Sequence, residues 1–506
     1  MPLVWFGLFE NKNVIAIDGP LSSPALPGRY ALGDLTPSID RGRFEAAFGR
    51  IKQHLVEGDS YQVNFTFRMR GPFEGDARSL FADLVEAQQG RHSAFVHIGS
   101  HSICSASPEL FFALDGLDVS ARPMKGTARR GRTLAEDRTR GDHLRSSQKQ
   151  RAENVMIVDM VRNDLGRIAD VGSVQVPELF TLERYPNVWQ MTSLVTGRSR
   201  AALGDVFAAL HPSASVTGAP KVRTMEILKE LEGEPRGVYT GAVGHVRPDG
   251  NARFSVAIRT AVVDHRRGSV EFGIGSGIVW DSDPEEEYEE CLLKGSVLGQ
   301  RPAPFDLLET LRWRPDEGFW LLDRHLRRLS DSAEYFGFPC RRDEVERTLR
   351  ASVGSPDGPM RVRLLLSKDG TVRVEAQPLI ATGPVKIRLA PEPIDVEDRF
   401  LFHKTTNRAT YERLCRVDGG GCDDVVLWNR KGQVTETTIA NLVVEIGGTL
   451  VTPPVECGLL AGTCRAEMLD RGELREAPIT IGELRAAPRF WLINSVQGRR
   501  PAVWEQ

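Results

Sequence analysis

The chain has 506 residues, with 65 Lys and Arg against 68 Asp and Glu and a formal net charge of −3. At ~150 residues per domain this length predicts two or three domains, and the balanced charge excludes a nucleic-acid footprint and a polybasic membrane patch. Seven scattered cysteines without a Cys-x-x-Cys pair argue against a disulfide framework or a zinc site and for a reducing, cytoplasmic setting, and no apolar run is long enough to cross a membrane.

Residues 38–57 carry Phe44, Phe48, Ile51 and Leu55 at helical spacing and stop at Gly58, which predicts an amphipathic helix. Residues 61–67 alternate apolar and polar side chains, as a half-buried strand does. The run 110–114, the turn signal Asp115-Gly116 and the return run 117–122 predict a hairpin whose ends meet. One end is Ser107-Pro108-Glu109 and the other Arg122-Pro123-Met124-Lys125-Gly126-Thr127, so Glu109 and Lys125 are expected to be neighbours. Taken alone, Lys125 among Arg122, Arg129, Arg130 and Arg132 reads as a solvated loop lysine.

Residues 146–167 read as one long helix with Val155, Val158, Val161 and Leu165 on its apolar side and Glu153 near that stripe. Thr217-Gly218-Ala219-Pro220-Lys221 reads as a turn before a helix that starts near Val222. Residues 239–244 and 254–260 read as adjacent strands. The first offers the Tyr239 phenol and backbone N–H groups at Thr240 and Gly241; the second offers the Arg259 fork for a carboxylate. A further strand, 273–279, has alternating Gly273, Gly275 and Gly277, which leave room for a ligand. Asp283 as N-cap and Pro284 at the first helical position place Glu287 and Glu290 one turn apart on one face. Joined by Glu153, they make a hard-oxygen set suited to magnesium, although an acidic helix start is ordinarily dipole compensation.

Arg301-Pro302-Ala303-Pro304 marks a break, giving domains 1–301 and 302–506. Beyond it, 305–313 and 319–322 form a hairpin, Leu326, Leu329, Ala333 and Phe336 mark a helix, and 360–367 with 371–375 form a second hairpin. This is the pattern of an α+β domain.

Ser107-Pro108-Glu109, Pro123-x-x-Gly126-Thr127, the block 151–166 and 217–221 together resemble the chorismate-utilising enzymes. Lys125 resembles the aminodeoxychorismate synthase branch, because anthranilate synthases carry a small residue there. The resemblance implies a large two-sheet α/β sandwich that binds chorismate, with Lys125 as nucleophile and Glu109 as general acid. It also implies that Glu153, Glu287 and Glu290 hold Mg2+, and that Thr217, Tyr239, Thr240, Arg259, Gly275 and Gly277 contact substrate. Gln62 is a neutral amide where salicylate and isochorismate synthases place a water-activating lysine. Gln190 stands where many relatives have histidine, and Ser213 and Ala214 where they have glycines.

The second half resembles class IV pyridoxal-phosphate enzymes, specifically aminodeoxychorismate lyase, through residues 322–329, 403–408, 434–442 and 458–465. That resemblance implies Lys404 as the Schiff-base lysine, Glu436 on the pyridine nitrogen, and Arg328 with the helix start at Gly462-Thr463 on the phosphate of pyridoxal 5'-phosphate. The two halves together imply amination of chorismate to aminodeoxychorismate and then elimination of pyruvate to give 4-aminobenzoate for folate synthesis. Ammonia is expected from a separate glutamine amidotransferase, because none of the seven cysteines has the setting that glutamine hydrolysis needs: the nearest, Cys422, follows Gly420-Gly421 but precedes Asp423-Asp424, whose charges oppose a thiolate. The resemblance also admits a homodimer through the lyase half. Two alternatives stay open at this point: an amino-acid aminotransferase in the second half, and a chorismate-binding regulatory module without catalysis.

Overall fold

A computed structural model describes residues 4–9, 29–299, 303–354, 356–415 and 422–505; the expected break at Arg301-Pro302 lies outside them, as do Gly420 and Gly421 beside Cys422. The described residues divide into two compact units. One holds those up to Arg130 and from Arg140 to 299; the other holds Gly131–Thr139 with those from 303 onward.

The first unit contains two antiparallel sheets. In the eight-stranded sheet, Gln62–Gly75 is central: Ser269–Ile278 pairs along one edge, and Tyr30–Leu32, Thr36–Pro37 and Gly218–Ala219 pair along the other. Thr260–Asp264, His101–Ser107 and His92–His97 extend it outward. The helices Arg41–Val56, Ala77–Gln88 and Pro284–Gly295 share a core with it that includes Phe44, Ile51, Phe67, Leu80, Phe272 and Tyr288. Each such aromatic or aliphatic side chain contributes ~1.5–3 kcal/mol on burial. The seven-stranded sheet runs Ala242–Val246, Ala252–Val256, Leu110–Asp115, Asp118–Arg122, Val188–Arg198, Met124–Arg129, with Gln175–Arg184 also paired to Val188–Arg198. Its core joins Phe112, Val119, Val195 and Phe254 to Ile157, Val161 and Leu165 of the helix Gln148–Gly166.

Several expectations change here. The first helix, expected over 38–57, runs Arg41–Val56 and is capped by Asp40, which accepts from Arg43 N–H at 2.8 Å. The strand expected to be half-buried over 61–67 runs Gln62–Gly75, and Gln62, Thr66 and Arg68 are as buried as Val63 and Phe65. A strand covered on both faces loses the simple alternation. Residues 146–167 are divided at Ser147, which caps Gln148–Gly166 and leaves Leu134–Ser146 as a separate helix. Val155 is exposed, and Ile157 and Asn154 take its place among the buried residues.

In the second unit, Gly318–Phe319, Leu307–Arg314, Met360–Leu366 and Val372–Pro378 form a four-stranded sheet packed on the helices Leu322–Phe336 and Arg342–Val353 through Leu311, Leu326, Leu329 and Val362. Residue 322 thus opens a helix and does not end a strand. The other sheet has eight strands, and an additional Glu436↔Asn441 pairing joins Val434–Thr437 to Asn441–Ile446, closing part of it on itself like a barrel. The observed class is the expected one, a mixed α/β unit of two sheets followed by an α+β unit.

Candidate active sites

In the first unit the hairpin brings Leu110 opposite Arg122, so the chain just before Leu110 meets the chain just after Arg122. Glu109 is 3% exposed, and its carboxylate accepts from Ser215 Oγ at 2.6 Å and from the Met124 N–H. Burial pushes this acid up to about 7, against the lowering effect of those two donors. Lys125 follows Met124 on the same strand, and its Nζ lies 3.5 Å from Glu153 Oε2 of the helix Gln148–Gly166.

The two sheets approach at Gly277. A Cβ there would stand 2.9 Å from Lys125 Nζ and 3.1 Å from Gln62 Nε2, so only glycine lets both side chains occupy this space. Neither the nitrogen nor the oxygen of the buried Gln62 amide has a hydrogen-bond partner among the described residues. An unpaired buried amide is costly, on the order of 1–3 kcal/mol, and this one lies beside the lysine. The glycines were expected to leave room for a ligand. At Gly273 the space is taken by the Tyr239 ring, at Gly275 by Phe65 O and Thr66, and at Gly277 by Lys125 and Gln62.

Arg259 does not lie within a strand. It links Ala252–Val256 of one sheet to Thr260–Asp264 of the other, with φ +51°, and its Nη1 donates to Lys294 O at 3.4 Å. Burial lowers its pKa, with Tyr239 and Glu290 acting against that. Tyr239 and Thr240 likewise precede the strand Ala242–Val246, with Thr240 at φ +63°. Left-handed backbone at two non-glycine residues beside one site is strain of the kind that a functional geometry retains. Thr217, Tyr239 and Thr240 line a cavity of about 530 Å³ with His211, Glu232 and Arg236.

Asp283 caps the helix Pro284–Gly295 as expected, accepting from Glu285 and Glu286 N–H. Glu287 accepts from Ser282 Oγ at 2.7 Å, and Glu290 pairs with Lys294, which also donates to Gly275 O at 2.9 Å. Burial would raise Glu290, but Lys294, Lys125 and Arg259 hold it below the usual carboxylate range. Glu153, Glu287 and Glu290 have the donor chemistry of a hard divalent cation, yet their oxygens do not gather to ligand spacing here. Among the described residues only His54, Glu57 and Asp59 offer three such atoms within 4.8 Å of one another. That group is a surface ion cluster, with Asp59 held by His54 at 2.8 Å and by Arg223 at 2.7 Å.

In the second unit Lys404 is fixed through its backbone: its carbonyl accepts from Leu308 N–H at 2.9 Å, beside the Leu307↔Thr405 bridge. Burial, reinforced by the Arg328 charge, brings its amine down to about 8, nearer the neutral form that condenses with a carbonyl. Glu436 is 4% exposed, and its oxygens accept from Tyr411 Oη at 2.9 Å, Leu460 N–H at 3.2 Å and Asn441 Nδ2 at 3.1 Å. Burial raises it to about 8, so its charge waits on a cationic partner. Gly462 caps the helix Thr463–Asp470, and a Cβ on it would collide with Asn441 Oδ1. Arg328 Nη1 donates to Ala461 O at 3.2 Å, beside that helix start. A buried amine, a buried carboxylate and a helix N-terminus with a guanidinium beside it fit a pyridine phosphate aldehyde.

Glu309, His325, Tyr411 and Asn441 were not singled out in the sequence. Glu309 receives two Arg328 bonds, at 2.8 and 2.7 Å, and meets His325 Nδ1 at 2.6 Å; His325 Nε2 reaches Thr463 Oγ1 at 3.3 Å. Burial opposes ionisation of Glu309, but Arg328 and His325 bring it down to about 2. One signal was available: Glu309 occupies an inward position between Leu307 and Leu311 on an alternating strand.

Residues 10–299 match the chorismate binding enzyme family, and residues 306–503 match amino-transferase class IV. The chain is 39% identical over 263 residues to aminodeoxychorismate synthase component 1 of Escherichia coli (strain K12), covering 52% of this chain and 58% of that protein. It is 38% identical over 263 residues to anthranilate synthase component 1 of Aquifex aeolicus, covering 52% and 53%. It therefore spans less than two thirds of these curated relatives. For the second half, a Mesorhizobium loti structure provisionally assigned as an amino-acid aminotransferase is 35% identical, covers 40% of this chain and 99% of that one, and has a TM-score of 0.38. The chain belongs to the chorismate-binding enzyme family, with a class IV aminotransferase domain fused behind it.

Proposed function

We propose that the first half aminates chorismate to aminodeoxychorismate and that the second half eliminates pyruvate from this product, giving 4-aminobenzoate. The observation that carries the reading is Lys125, placed between Glu153 and the Gln62 amide and one residue from the N–H that contacts Glu109. An acid pushed up to about 7 is substantially protonated near neutrality and can give its proton to a departing hydroxyl. Lys125, once neutral, attacks the ring as that hydroxyl leaves as water. Ammonia then displaces the lysine, and Glu109 recovers a proton from the new ammonium.

Arg259, Tyr239, Thr240 and Thr217, with the backbone at Gly275 and Gly277, are the proposed substrate contacts. Chorismate carries two carboxylates, and the Arg259 fork suits one of them. Glu153, Glu287 and Glu290 would hold magnesium, which would compete with Lys125 and Lys294 for those carboxylates. Ammonia comes from solvent or from a separate glutaminase component. Burial raises the thiols of Cys104, Cys291 and Cys464, the opposite of what an activated nucleophile needs.

In the second half Lys404 and Glu436 would hold pyridoxal phosphate, with Arg328, Gly462 and Thr463 at its phosphate; when bound, the ring supplies an electron sink. Lys404, brought down to about 8, takes the proton from the amine-bearing carbon. Tyr411 and Asn441 fix Glu436, and Glu309 with His325 fix Arg328.

The reading is tested by Lys125→Ala beside the parent. Loss of aminated product with chorismate still bound supports covalent catalysis. Product at the parental rate would leave Lys125 as an electrostatic neighbour only. Pyruvate release without an added keto acid separates a lyase from an aminotransferase.

A further inference from the structure

The loop from Leu210 to Thr217 holds a hydroxyl pair that the proposed reaction does not yet use. Lys221 Nζ anchors the loop, donating to Asp164 Oδ2 at 2.7 Å, Pro212 O at 3.1 Å and Leu210 O at 3.3 Å. Thr217 Oγ1 and Val216 N–H both donate to the Ser213 carbonyl, at 3.0 and 3.3 Å, so the backbone at Ser213 is fixed from two directions. Ser213 Oγ, itself buried, lies 2.9 Å from Ser215 Oγ. Ser215 Oγ in turn donates to Glu109 Oε1 at 2.6 Å. The single Ser215 proton is committed to the carboxylate, so the bond between the two serines has Ser213 as donor.

Resting on the synthase reading, we infer that Ser213 is a positioning residue for the acid: it polarises Ser215, which holds Glu109 Oε1 and leaves the transferable proton on Oε2. When the O–H bond of Glu109 breaks, its proton leaves with the departing hydroxyl as water and the electron pair stays on the carboxylate. The two-hydroxyl chain stabilises that anion most, because hydrogen bonds in series strengthen one another where water is excluded. No charged side chain is among the groups that set this acid; burial, Ser215 and the Met124 N–H do so. Tyr185, the titratable group facing it, is raised by burial and stays neutral through the range concerned. Lys125, next along the strand, is paired with Glu153.

The experiment measures kcat/KM for aminated product against pH, at constant free ammonia, in the parent, Ser213→Ala, Ser215→Ala and Ser213→Thr. The parent's basic limb should fall near the Glu109 value of about 7. Ser215→Ala should move that limb upward by about half to one pH unit, the size of one lost hydrogen bond. Ser213→Ala should move it in the same direction by a few tenths, and Ser213→Thr, which restores the hydroxyl, should return it. The carboxyl infrared band of Glu109, assigned with Glu109→Gln, reports the same titration without turnover. A Ser213→Ala protein that loses rate while limb and band stay in place would reduce Ser213 to loop packing and overturn the inference. A parent that makes no aminated product would instead overturn the synthase reading, and the infrared titration would still decide the role of Ser213.

Discussion

Glu109→Gln separates chemistry from stability in one variant. The amide has the shape of the protonated acid, can still accept from Ser215, and carries no charge at any pH. Burial raises Glu109 from 4.5 to about 7, a shift that corresponds to roughly 3 kcal/mol between its two protonation states. The sign follows from linkage. Between these two values the folded state binds more protons than the unfolded chain, so stability falls as pH rises through them, and the loss is complete above the folded value. Glu109→Gln escapes that loss. It should match the parent near pH 4 and exceed it by up to ~3 kcal/mol at pH 8, about 5 °C in the melting transition of the first unit. The same variant should lose amination by ~10²- to 10⁴-fold, the usual contribution of a positioned acid. Scanning calorimetry of parent and variant across pH, with product formation at constant free ammonia, gives both numbers. A variant that is no more stable than the parent at pH 8, or one that keeps the parental rate, would refute the assignment of a buried, protonated acid at this position.

Lys404→Ala should abolish the cofactor's visible absorbance and accumulate the aminated intermediate, while borohydride reduction of the parent should fix the cofactor mass on a Lys404 peptide; a label on another lysine would sink the assignment. Gly462→Ala should displace Asn441 and with it one bond to Glu436, costing ~1–3 kcal/mol and weakening pyridoxal phosphate binding in an absorbance titration. Glutamine should give no product with the purified chain until a glutaminase component is added, whereas ammonium salts should support activity that climbs with pH as neutral ammonia rises, until Glu109 loses its proton.

The sequence was most informative where a local rule has a single physical outcome. Asp283-Pro284 started a helix because a carboxylate cap and a fixed φ leave little alternative. The Asp115-Gly116 turn closes the hairpin whose far end, after a register shift between Ala113 and Leu110, brings Glu109 to Met124. It was least informative where tertiary context decides. Leu134–Ser146 is rich in arginine and acidic residues and has little apolar periodicity to announce a helix. Arg259 looked like a strand residue because the crossing from one sheet to the other, at φ +51°, has no sequence mark. Ser215 carries no local signal, and although Glu309 shares the inward face of its strand with Leu307 and Leu311, the roles of both come from partners distant in the chain: Arg328 for Glu309 and Glu109 for Ser215.

The central claim, that one polypeptide carries both reactions, is tested most directly by time-resolved mass analysis of the purified chain with chorismate, magnesium, pyridoxal phosphate and ¹⁵N-ammonium. A labelled aminodeoxychorismate mass should rise first, followed by labelled 4-aminobenzoate with one pyruvate released per ring and no keto acid added. Direct formation of anthranilate, or a labelled intermediate that is never converted while pyruvate stays at background, would contradict it.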